Sequence, residues 1–383
     1  MLIPPPLSLY IHFPWCVKKC PYCDFNSHEL KRELDQANYV DALLADLEQD
    51  LPSVWGRPIS SVFMGGGTPS LFSAPSMQNM MNRVRAVLPF QPDAEVTMEV
   101  NPGSQEFDDL AGYLQAGINR LSFGIQSLKD ENLVRLGRIH NSEQAIKAVQ
   151  KAKTVGYDNF NVDMMFGLPG QSMAAAKEDL LRLIDMGSTH ISYYQLTIEA
   201  NTLFAVKTPE DLPDVEMLHD MFAQGQEILS AHGFEQYEVS AYAKPSRQSQ
   251  HNMNYWRFGD YLGIGAGAHA KVTMGHSGEI IRTVKQKHPN LYLQHAGTPQ
   301  RLMSNEVVDD STLLFEFFLN HLRIKQAVQW SHFESCTGLR KDMAIEKLKP
   351  LAQHGWFTMD DSGLTLSEYG FLLSDEILQQ LID

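Results

Sequence analysis

The 383-residue sequence lacks any run of about 20 consecutive apolar residues, which argues against a helix that spans a membrane. Positive charge is also scarce, because 31 lysines and arginines stand against 46 acidic residues. The resulting net charge of −15 argues against a protein that holds nucleic acid through phosphate contacts. Residues 1–6 have no basic start and are not typical of a signal peptide. We therefore expect a cytoplasmic protein, with peripheral attachment to the inner face of a membrane as a further hypothesis.

Cysteine is scarce too, and its distribution is uneven. Of the four cysteines, Cys16, Cys20 and Cys23 lie within eight positions, and Cys336 lies some three hundred residues further on. In a cytoplasmic chain, clustered cysteines indicate a metal site before they indicate a disulfide. Cys336 has no partner nearby and is predicted to be a buried structural thiol.

Between residues 7 and 200, short β-rich runs alternate with segments of helical period. The predicted strands are Ser8–Trp15, Ser60–Met64, Glu95–Val100, Arg120–Ile125, Asn159–Met165 and His190–Thr197. Apolar stripes between them, such as Met77, Met80, Met81 and Val84, predict amphipathic helices. This alternation predicts an α/β fold with a parallel sheet, as an open, partial (β/α)6 barrel over residues 1–244.

Polar or glycine-rich signatures follow several of these strands. They are residues 16–23, Gly65–Pro69, Glu99–Pro102, Gln126–Ser127 and Gly167–Gly170. Ligands bind at the carboxyl ends of the strands in parallel α/β folds, so we expect all five signatures to meet at one rim.

The pattern changes in the last third of the chain. Residues 245–304 are rich in glycine, histidine, proline and asparagine, and we expect irregular structure that closes the barrel. Residues 305–383 are again helical, with a hairpin turn at 360–363, which resembles a small winged-helix-like C-terminal domain. Because no basic recognition helix is present, this domain is predicted to serve packing or a partner rather than DNA.

The spacing Cys16-x-x-x-Cys20-x-x-Cys23 is the most informative feature. Three close thiolates can hold three irons of a [4Fe–4S] cubane and leave the fourth iron without a protein ligand. The amino and carboxylate groups of a methionine would suit that open iron. On spacing alone, a zinc site completed by His12 or His28 and three unrelated thiols remain as alternatives.

Beyond spacing, the stretch from Tyr10 to Asn26 resembles the cluster loop of radical S-adenosylmethionine (SAM) proteins. It reads Tyr-Ile-His-Phe-Pro-Trp-Cys-Val-Lys-Lys-Cys-Pro-Tyr-Cys-Asp-Phe-Asn. The whole chain is similar to the oxygen-independent coproporphyrinogen III dehydrogenases of that family, whose motifs recur in order. They are Gly65-Gly-Gly-Thr-Pro69, Glu99-Val-Asn-Pro102, Gly124-Ile-Gln-Ser127, Leu136-Gly-Arg-Ile-His140, Asp163-Met-Met-Phe-Gly-Leu-Pro-Gly170 and His251-Asn-x-x-Tyr-Trp256.

This resemblance implies a cluster on the three cysteines and a neighbouring SAM site. The residues implied to line the SAM site are Tyr10, Gly66, Gly67, Thr68, Glu99, Gln126, Arg138 and Asp163. Taken singly, each of them is more often a structural or surface residue. The family chemistry also implies an electron donor such as a flavodoxin, which reduces the cluster so that it can cleave SAM.

Two departures separate this chain from the dehydrogenases. They carry a fourth cysteine two places after the third, where this chain has Phe25, and a longer arm than the nine residues before Tyr10. A sister group, the bacterial haem chaperones, shares both departures and the His-Asn-x-x-Tyr-Trp motif. In that group His251 would be an axial haem ligand, with Tyr255 and Trp256 flanking the macrocycle. The alternative is a structural histidine beside two packing aromatics, and His269 is a weaker second candidate.

The sequence therefore predicts a haem chaperone on a [4Fe–4S]/SAM scaffold. Its partners would be haem as cargo and haem-accepting proteins, soluble or membrane-associated, and a cluster-dependent homodimer is a further hypothesis. The alternative function is a coproporphyrinogen III dehydrogenase that performs radical oxidative decarboxylation. A third possibility is a non-catalytic zinc or redox module.

Overall fold

The computed structural model describes residues 2–103 and 109–382. Its strands are β1 Leu7–Phe13, β2 Trp15–Cys16, β3 His28–Glu29, β4 Ile59–Gly66, β5 Phe90–Val100, β6 Arg120–Gln126, β7 Phe160–Phe166, β8 His190–Gln195, β9 Glu235–Glu238, β10 Ala241–Ala243, β11 Asp260–Ile264, β12 His269–Met274, β13 Glu279–Lys285, β14 Leu302–Val307, β15 Val328–Gln329, β16 Phe357–Met359 and β17 Gly363–Leu366.

Helices fill most of the connections between these strands. They are α1 Gln36–Asp50, α2 Ala74–Val87, α3 Leu110–Gln115, α4 Asp130–Arg135, α5 Ser142–Val155, α6 Met173–Asp185, α7 Leu203–Val206, α8 Val215–Ala231, α9 Gln250–Trp256, α10 Pro289–His295, α11 Asp310–His321, α12 Trp330–Thr337, α13 Lys341–Leu348, α14 Glu368–Leu372 and α15 Ser374–Ile382. None of the helices in the described ranges is long and apolar enough to cross a membrane.

One large sheet organises the fold. Its strand order across the described residues is β14-β13-β12-β11-β1-β4-β5-β6-β7-β8-β10-β9. The seven strands from β11 to β8 are parallel, and the strands outside them are antiparallel. The predicted six-unit, open (β/α) barrel is therefore confirmed, and β11 adds a seventh parallel strand beside β1.

The helices form where local signals and the apolar stripe agree. In α5, Asn141 and Gln144 make a reciprocal capping box, and Gly156 ends the helix in the left-handed conformation. The stripe predicted in α2 is buried against the sheet, as Met77, Met80, Met81 and Val84 all belong to the main core. Burial of such a face, more than intrinsic propensity, stabilises a helix of this length.

The prediction of irregular structure for residues 245–304 was wrong. This segment holds α9, α10 and the strands β11, β12 and β13, which extend the main sheet. Glycine is required at positions 263, 265 and 267, where neighbouring backbone segments approach closely or the chain turns with a positive φ. A β-carbon at Gly263 would clash with the carbonyl of His269, and Gly265 and Gly267 turn the chain with positive φ.

A buried ion network attaches this extension to the barrel. Asp46 on α1 accepts from Lys285 Nζ at 2.7 Å, Arg301 Nε at 3.0 Å and the Tyr292 hydroxyl at 2.8 Å. Asp50, one turn later, accepts from the same lysine at 2.6 Å. Since Asp46 and Lys285 are fully buried, each charge depends on the others for the stabilisation that water no longer supplies.

The C-terminal residues form a module with its own apolar core. The order α11, β15, α12, α13, β16, β17 and the three-stranded sheet β15-β17-β16 confirm the winged-helix-like prediction. Leu2 from the other end of the chain packs into this core. The module also touches the barrel through Arg323, whose Nη2 lies 2.6 Å from Glu238 Oε1 at the end of β9. The domain boundaries at 244 and 304 stay predictions.

Removing Asp46 tests whether the network holds the extension in place. We expect Asp46→Ala to lower the free energy of unfolding by about 3 kcal/mol, because Asp50 alone is then left to compensate the two buried cations Lys285 and Arg301. Asp41→Ala on the same helix removes an exposed pair with Arg83 and should change stability by less than about 1 kcal/mol. Urea unfolding measures both variants, and equal losses would contradict the assignment.

Candidate functional site

A chamber of about 580 Å³ opens at the carboxyl ends of the parallel strands. This volume lies within the range of about 300–1,000 Å³ that is usual for small-molecule sites. The cysteine loop covers one side of the mouth, and the strands β4 to β8 supply the walls. The predicted convergence of the strand-end signatures at one rim is confirmed for Cys16–Cys23, Gly66, Glu99 and Gln126.

Alternation along the strands decides which side chains reach the chamber. On β6, the residues Arg120, Ser122, Gly124 and Gln126 line it, whereas the residues between them are buried in the apolar core on the other face. The same period of two places Asn161, Asp163 and Met165 of β7 and His190, Ser192 and Tyr194 of β8 in the chamber.

Backbone hydrogen bonds fix the cysteine loop to the end of β4. The amide of Gly67 donates to the Phe13 carbonyl and the amide of Thr68 donates to the Trp15 carbonyl, both at 2.7 Å. A β-carbon at Gly67 would clash with these two carbonyl oxygens. Gly67 is therefore required for the approach of the two chain segments.

The far end of the cysteine loop is held by Asn26. Its side-chain amide donates to the carbonyls of Ala266 and Lys287, at 2.9 Å each. His12 donates from Nε2 to the Asn26 carbonyl at 2.9 Å and accepts the Tyr10 hydroxyl at Nδ1, also at 2.9 Å. Tyr10 thus supports the loop from behind. It is not among the residues that line the chamber, although the family resemblance implied that it lines the SAM site.

All three clustered cysteines face the chamber as free thiols. Burial raises the pKa of Cys16 to about 11 and also raises that of Cys23. All three line the same chamber, but no group of three histidine, cysteine, aspartate or glutamate side chains in the described ranges is already gathered at metal-binding distances. The donor set, three soft thiols on one loop, fits an iron–sulfur cluster.

Two carboxylates, Glu99 of β5 and Asp163 of β7, line the chamber wall. Burial and the neighbouring charge of Asp163 raise the pKa of Glu99 from 4.5 to about 8. Burial likewise raises the pKa of Asp163, which accepts from Asn161 Nδ2 at 2.7 Å. Glu99 accepts the Gly66 amide at 3.1 Å. Two carboxylates that form no salt bridge with a cation among the described residues suit a positively charged ligand group.

Arg138 supplies the opposite charge near the cysteines. Its Nη2 donates to Asn101 Oδ1 at 3.1 Å and to the Gly124 carbonyl at 2.5 Å, and its Nη1 approaches Cys20 Sγ at 3.7 Å. Its Nε is buried and has no partner among the described residues. A planar guanidinium with an unused donor suits a carboxylate.

The remaining predicted SAM residues also line the chamber. They are Gly66, Gly67, Thr68 and Gln126. Gln126 holds a positive φ of 73°, an uncommon conformation for a residue other than glycine, and its Oε1 accepts the Tyr194 hydroxyl at 2.8 Å. Such local strain concentrates at binding and active sites.

His251 lies at the opposite end of the barrel from the cysteines. It belongs to α9. The backbone amides of Gln250 and His251, the first two residues of this helix, donate to Glu95 Oε1, which lies toward the amino ends of the barrel strands. Its Nδ1 is hydrogen-bonded to the Ser61 hydroxyl at 3.1 Å, and its ring packs against Phe63 with centroids 5.3 Å apart. Burial and the charge of Arg120 lower the pKa of His251 to about 3, so it is neutral.

The two aromatic residues of the motif already have packing partners. The guanidinium of Arg323 lies 4.7 Å from the centre of the Trp256 ring, and Tyr255 packs against Tyr261 at 5.2 Å. His269, the second histidine candidate, is exposed on β12 and does not line the chamber. The structure therefore brings together the residues predicted to bind SAM, apart from Tyr10, but leaves the histidine candidates outside that group.

Sequence reasoning missed the polar residues that line the lower chamber, the part of the chamber furthest from the cysteine loop. They are Arg120, Ser122, Asn161, His190 and Ser192. The sequence does contain a signal for these residues. Strands of a parallel sheet that are buried on both faces are usually continuously apolar, so polar residues within such strands are unexpected. Polar residues at every second position of β6, β7 and β8 therefore indicate a hydrated interior.

The chain is similar to proteins of known families over nearly its whole length. The Radical SAM superfamily model matches residues 10–183, and the HemN C-terminal domain model matches residues 308–373. The Heme chaperone HemW of Escherichia coli (strain K12) is 48% identical over 375 residues, which cover 98% of each chain. The chain belongs to the HemW family.

More distant members support this membership. The Heme chaperone HemW proteins of Haemophilus influenzae and Bacillus subtilis are 46% and 33% identical, and the matches cover 98% and 97% of this chain and 97% of each relative. Among solved structures, the coproporphyrinogen III oxidase HemN of Escherichia coli has a TM-score of 0.83 and 24% identity, and the match covers 99% of this chain and 90% of HemN. HemN and the HemW family therefore share a fold.

The raised pKa of Glu99 predicts a pH dependence of stability. Between pH 4.5 and about 8, Glu99 keeps its proton in the folded state and loses it in the unfolded state. Stability of the ligand-free protein should therefore fall as pH rises through this window, with a contribution of up to about 1.4 kcal/mol per pH unit. Glu99→Gln should remove this contribution.

Thermal and urea unfolding between pH 5 and 8 would measure the difference between wild type and Glu99→Gln. Glu178→Gln, at an exposed carboxyl group paired with Lys129, is the control and should keep the wild-type slope. If wild type and Glu99→Gln have the same slope, the carboxyl is ionised in the folded protein and the assignment fails.

Proposed function

We propose that this protein is a haem chaperone that binds haem and transfers it to acceptor haemoproteins. The observation that carries the proposal is the full-length similarity to proteins named Heme chaperone HemW, at up to 48% identity. Phe25 supports it, because it stands at the chamber mouth, 57% exposed, where the dehydrogenases carry a cysteine. The fold shared with HemN is compatible with either function.

The cofactors of this proposal are a [4Fe–4S] cluster and SAM. Cys16, Cys20 and Cys23 would hold the cluster, since three thiols on one fixed loop face one chamber. When bound, a cluster with an open iron supplies a chelation point for SAM and an electron for its reduction. Release of the thiol protons accompanies such binding.

The chamber residues would orient SAM by charge. Arg138 would use its free Nε to hold the carboxylate of the methionine part, while Asn101 and Gly124 keep the guanidinium in place. Glu99 and Asp163 would face the cationic groups, which favours their ionised forms. Gln126, fixed by Tyr194, would offer its amide to the ribose.

His251 is the proposed axial ligand of haem. Its imidazole is neutral, Ser61 orients it through Nδ1, and Nε2 has no hydrogen-bond partner in the described part of the chain. These are the features that a histidine ligand of iron needs. The side chain is 9% exposed, so ligation also requires the packing of Phe63 against the ring to open.

Further partners belong to the same proposal. Haem acceptors would be soluble or membrane-associated haemoproteins, and a flavodoxin-like protein would supply electrons to the cluster. Association as a homodimer around the cysteine loop is also proposed, since Val17 and Phe25 expose apolar surface there. The protein would act in the cytoplasm, with peripheral contact at the membrane.

The role of Arg138 predicts the behaviour of a neutral variant. Arg138→Met should weaken SAM binding by about 10- to 100-fold, which corresponds to the roughly 1.5–3 kcal/mol of a charged hydrogen bond. Arg135→Met is the matched control, because Arg135 also binds a carbonyl and a side-chain oxygen but lies outside the chamber. Calorimetric titration of the anaerobically reconstituted proteins measures both. Equal affinities in wild type and Arg138→Met would exclude this contact.

Haem titration tests the function itself. The Soret band of the anaerobically reconstituted protein should show a saturating one-to-one change, and His251→Ala should weaken or shift it, whereas His269→Ala should not. Saturation that is unchanged in His251→Ala would keep the carrier and exclude this ligand. If neither the wild type nor the variants bind haem, the haem chaperone proposal fails. An activity assay with coproporphyrinogen III then tests the alternative, a dehydrogenase.

A further inference from the structure

The floor of the chamber carries a buried cation that the SAM site does not use. Arg120 is the first residue of β6, at the amino end of the strand, and Gln126 ends the same strand at the mouth. The side chain of Arg120 lines the chamber together with those of Ser122, Asn161 and His190, and Arg120 is 2% exposed. Arg120 is therefore separated from Arg138 by most of the depth of the barrel wall.

The guanidinium of Arg120 keeps unused hydrogen-bond donors although Glu95 lies beside it. Its Nε and Nη2 are buried without a hydrogen-bond partner in the described ranges. Glu95 Oε2 lies 3.7 Å from Nε, too far for a hydrogen bond. The other oxygen of Glu95 is occupied by the amides of Gln250 and His251. A buried guanidinium with unused donors is costly unless another group completes its bonding.

The other neighbours of Arg120 cannot supply that group. His190 uses both ring nitrogens, toward Asn161 Oδ1 and the Tyr237 hydroxyl at 2.7 Å each, and it remains neutral because burial and Arg120 hold its pKa well below the usual value. Asn161 donates to Ser122 Oγ and to Asp163. These side chains already use their hydrogen-bonding groups on one another, so they leave the Nε and Nη2 donors of Arg120 unused, while Glu95 balances its charge from 3.7 Å.

We propose that Arg120 is an anion subsite that binds a carboxylate of the molecule held in the lower chamber. A planar guanidinium pairs with carboxylates and phosphates. The monoanionic carboxylate is favoured here, because Glu99 and Asp163, once ionised against the cationic groups of bound SAM, would repel a dianionic phosphate more strongly.

Two sources can supply this carboxylate. One is a propionate side chain of the haem cargo, and this case rests on the function proposed above. The other is a small free carboxylic acid that binds beneath SAM. Both share the same contact with Arg120, so the probes must separate them.

The test uses haem, haem dimethyl ester, in which both propionates are esterified, and the propionate ion. The main variant is Arg120→Met combined with Glu95→Gln, which removes the cation without leaving the Glu95 carboxylate alone. Arg120→Lys, which keeps the charge but loses the planar fork, is the second variant in case the first does not fold. Arg182→Met is the matched control, since Arg182 donates to the Leu128 carbonyl outside the chamber.

If a propionate of haem is bound, wild type should prefer haem over its ester by at least tenfold in Soret titrations. The double variant should lose this preference with little change in affinity for the ester, and Arg120→Lys should lose it in part. Arg182→Met should behave as wild type. This result supports both the subsite and its cargo.

If a free acid is the ligand, wild type should bind haem and its ester equally or not at all. The propionate ion should then raise the melting temperature of wild type in a saturable manner, and the Arg120 variants should not respond. This result supports the subsite and holds even where haem binding, and with it the proposed function, fails. If neither response depends on Arg120, the subsite is excluded.

Discussion

The site depends on two backbone hydrogen bonds between the end of β4 and the chain that follows β1. Through them the amides of Gly67 and Thr68 set the direction in which the cysteine loop leaves the sheet. Any side chain at Gly67 would push the two segments apart. The thiols are therefore positioned by the register of two neighbouring parallel strands, and not by contacts among themselves. This explains how a loop of eight residues can face the same chamber as side chains from five different strands.

Charge is divided along the depth of the chamber. The acidic pair of Glu99 and Asp163 and the guanidinium of Arg138 lie toward the cysteines, and Arg120 lies at the floor. The wall between them is neutral and hydrogen-bonded internally through Asn161, Ser122 and His190. In a low-dielectric interior this arrangement orients a bound molecule strongly, because the end near the cysteines offers groups of both signs whereas the floor offers only the cation Arg120.

Much of this architecture could be predicted from the sequence, for identifiable physical reasons. The strands β4, β6 and β7 agree with prediction to within two residues at either end, because each has apolar residues at alternate positions and a polar or glycine-rich signature at its carboxyl end. The glycines of residues 263–267 misled, since a glycine that allows two backbones to approach looks the same as one in a loop. The position of His251 at the far end of the barrel could not be inferred, because no periodicity shows which end of a barrel a helix covers. Arg120 was overlooked because a single arginine at a strand start looks like a surface residue.

The central position of β1 has a consequence for the order of folding during synthesis. β1 pairs with β4 on one side and with β11 on the other, and β11 is made some 250 residues later. One edge of β1 thus stays unpaired while most of the barrel is translated. Leu2 can pack into its native position only after the residues of the C-terminal core have been synthesised. Exposed strand edges in partly made chains are prone to wrong pairing. β1 is synthesised before every other strand of the sheet, yet it is among the last parts of the barrel to reach its native surroundings.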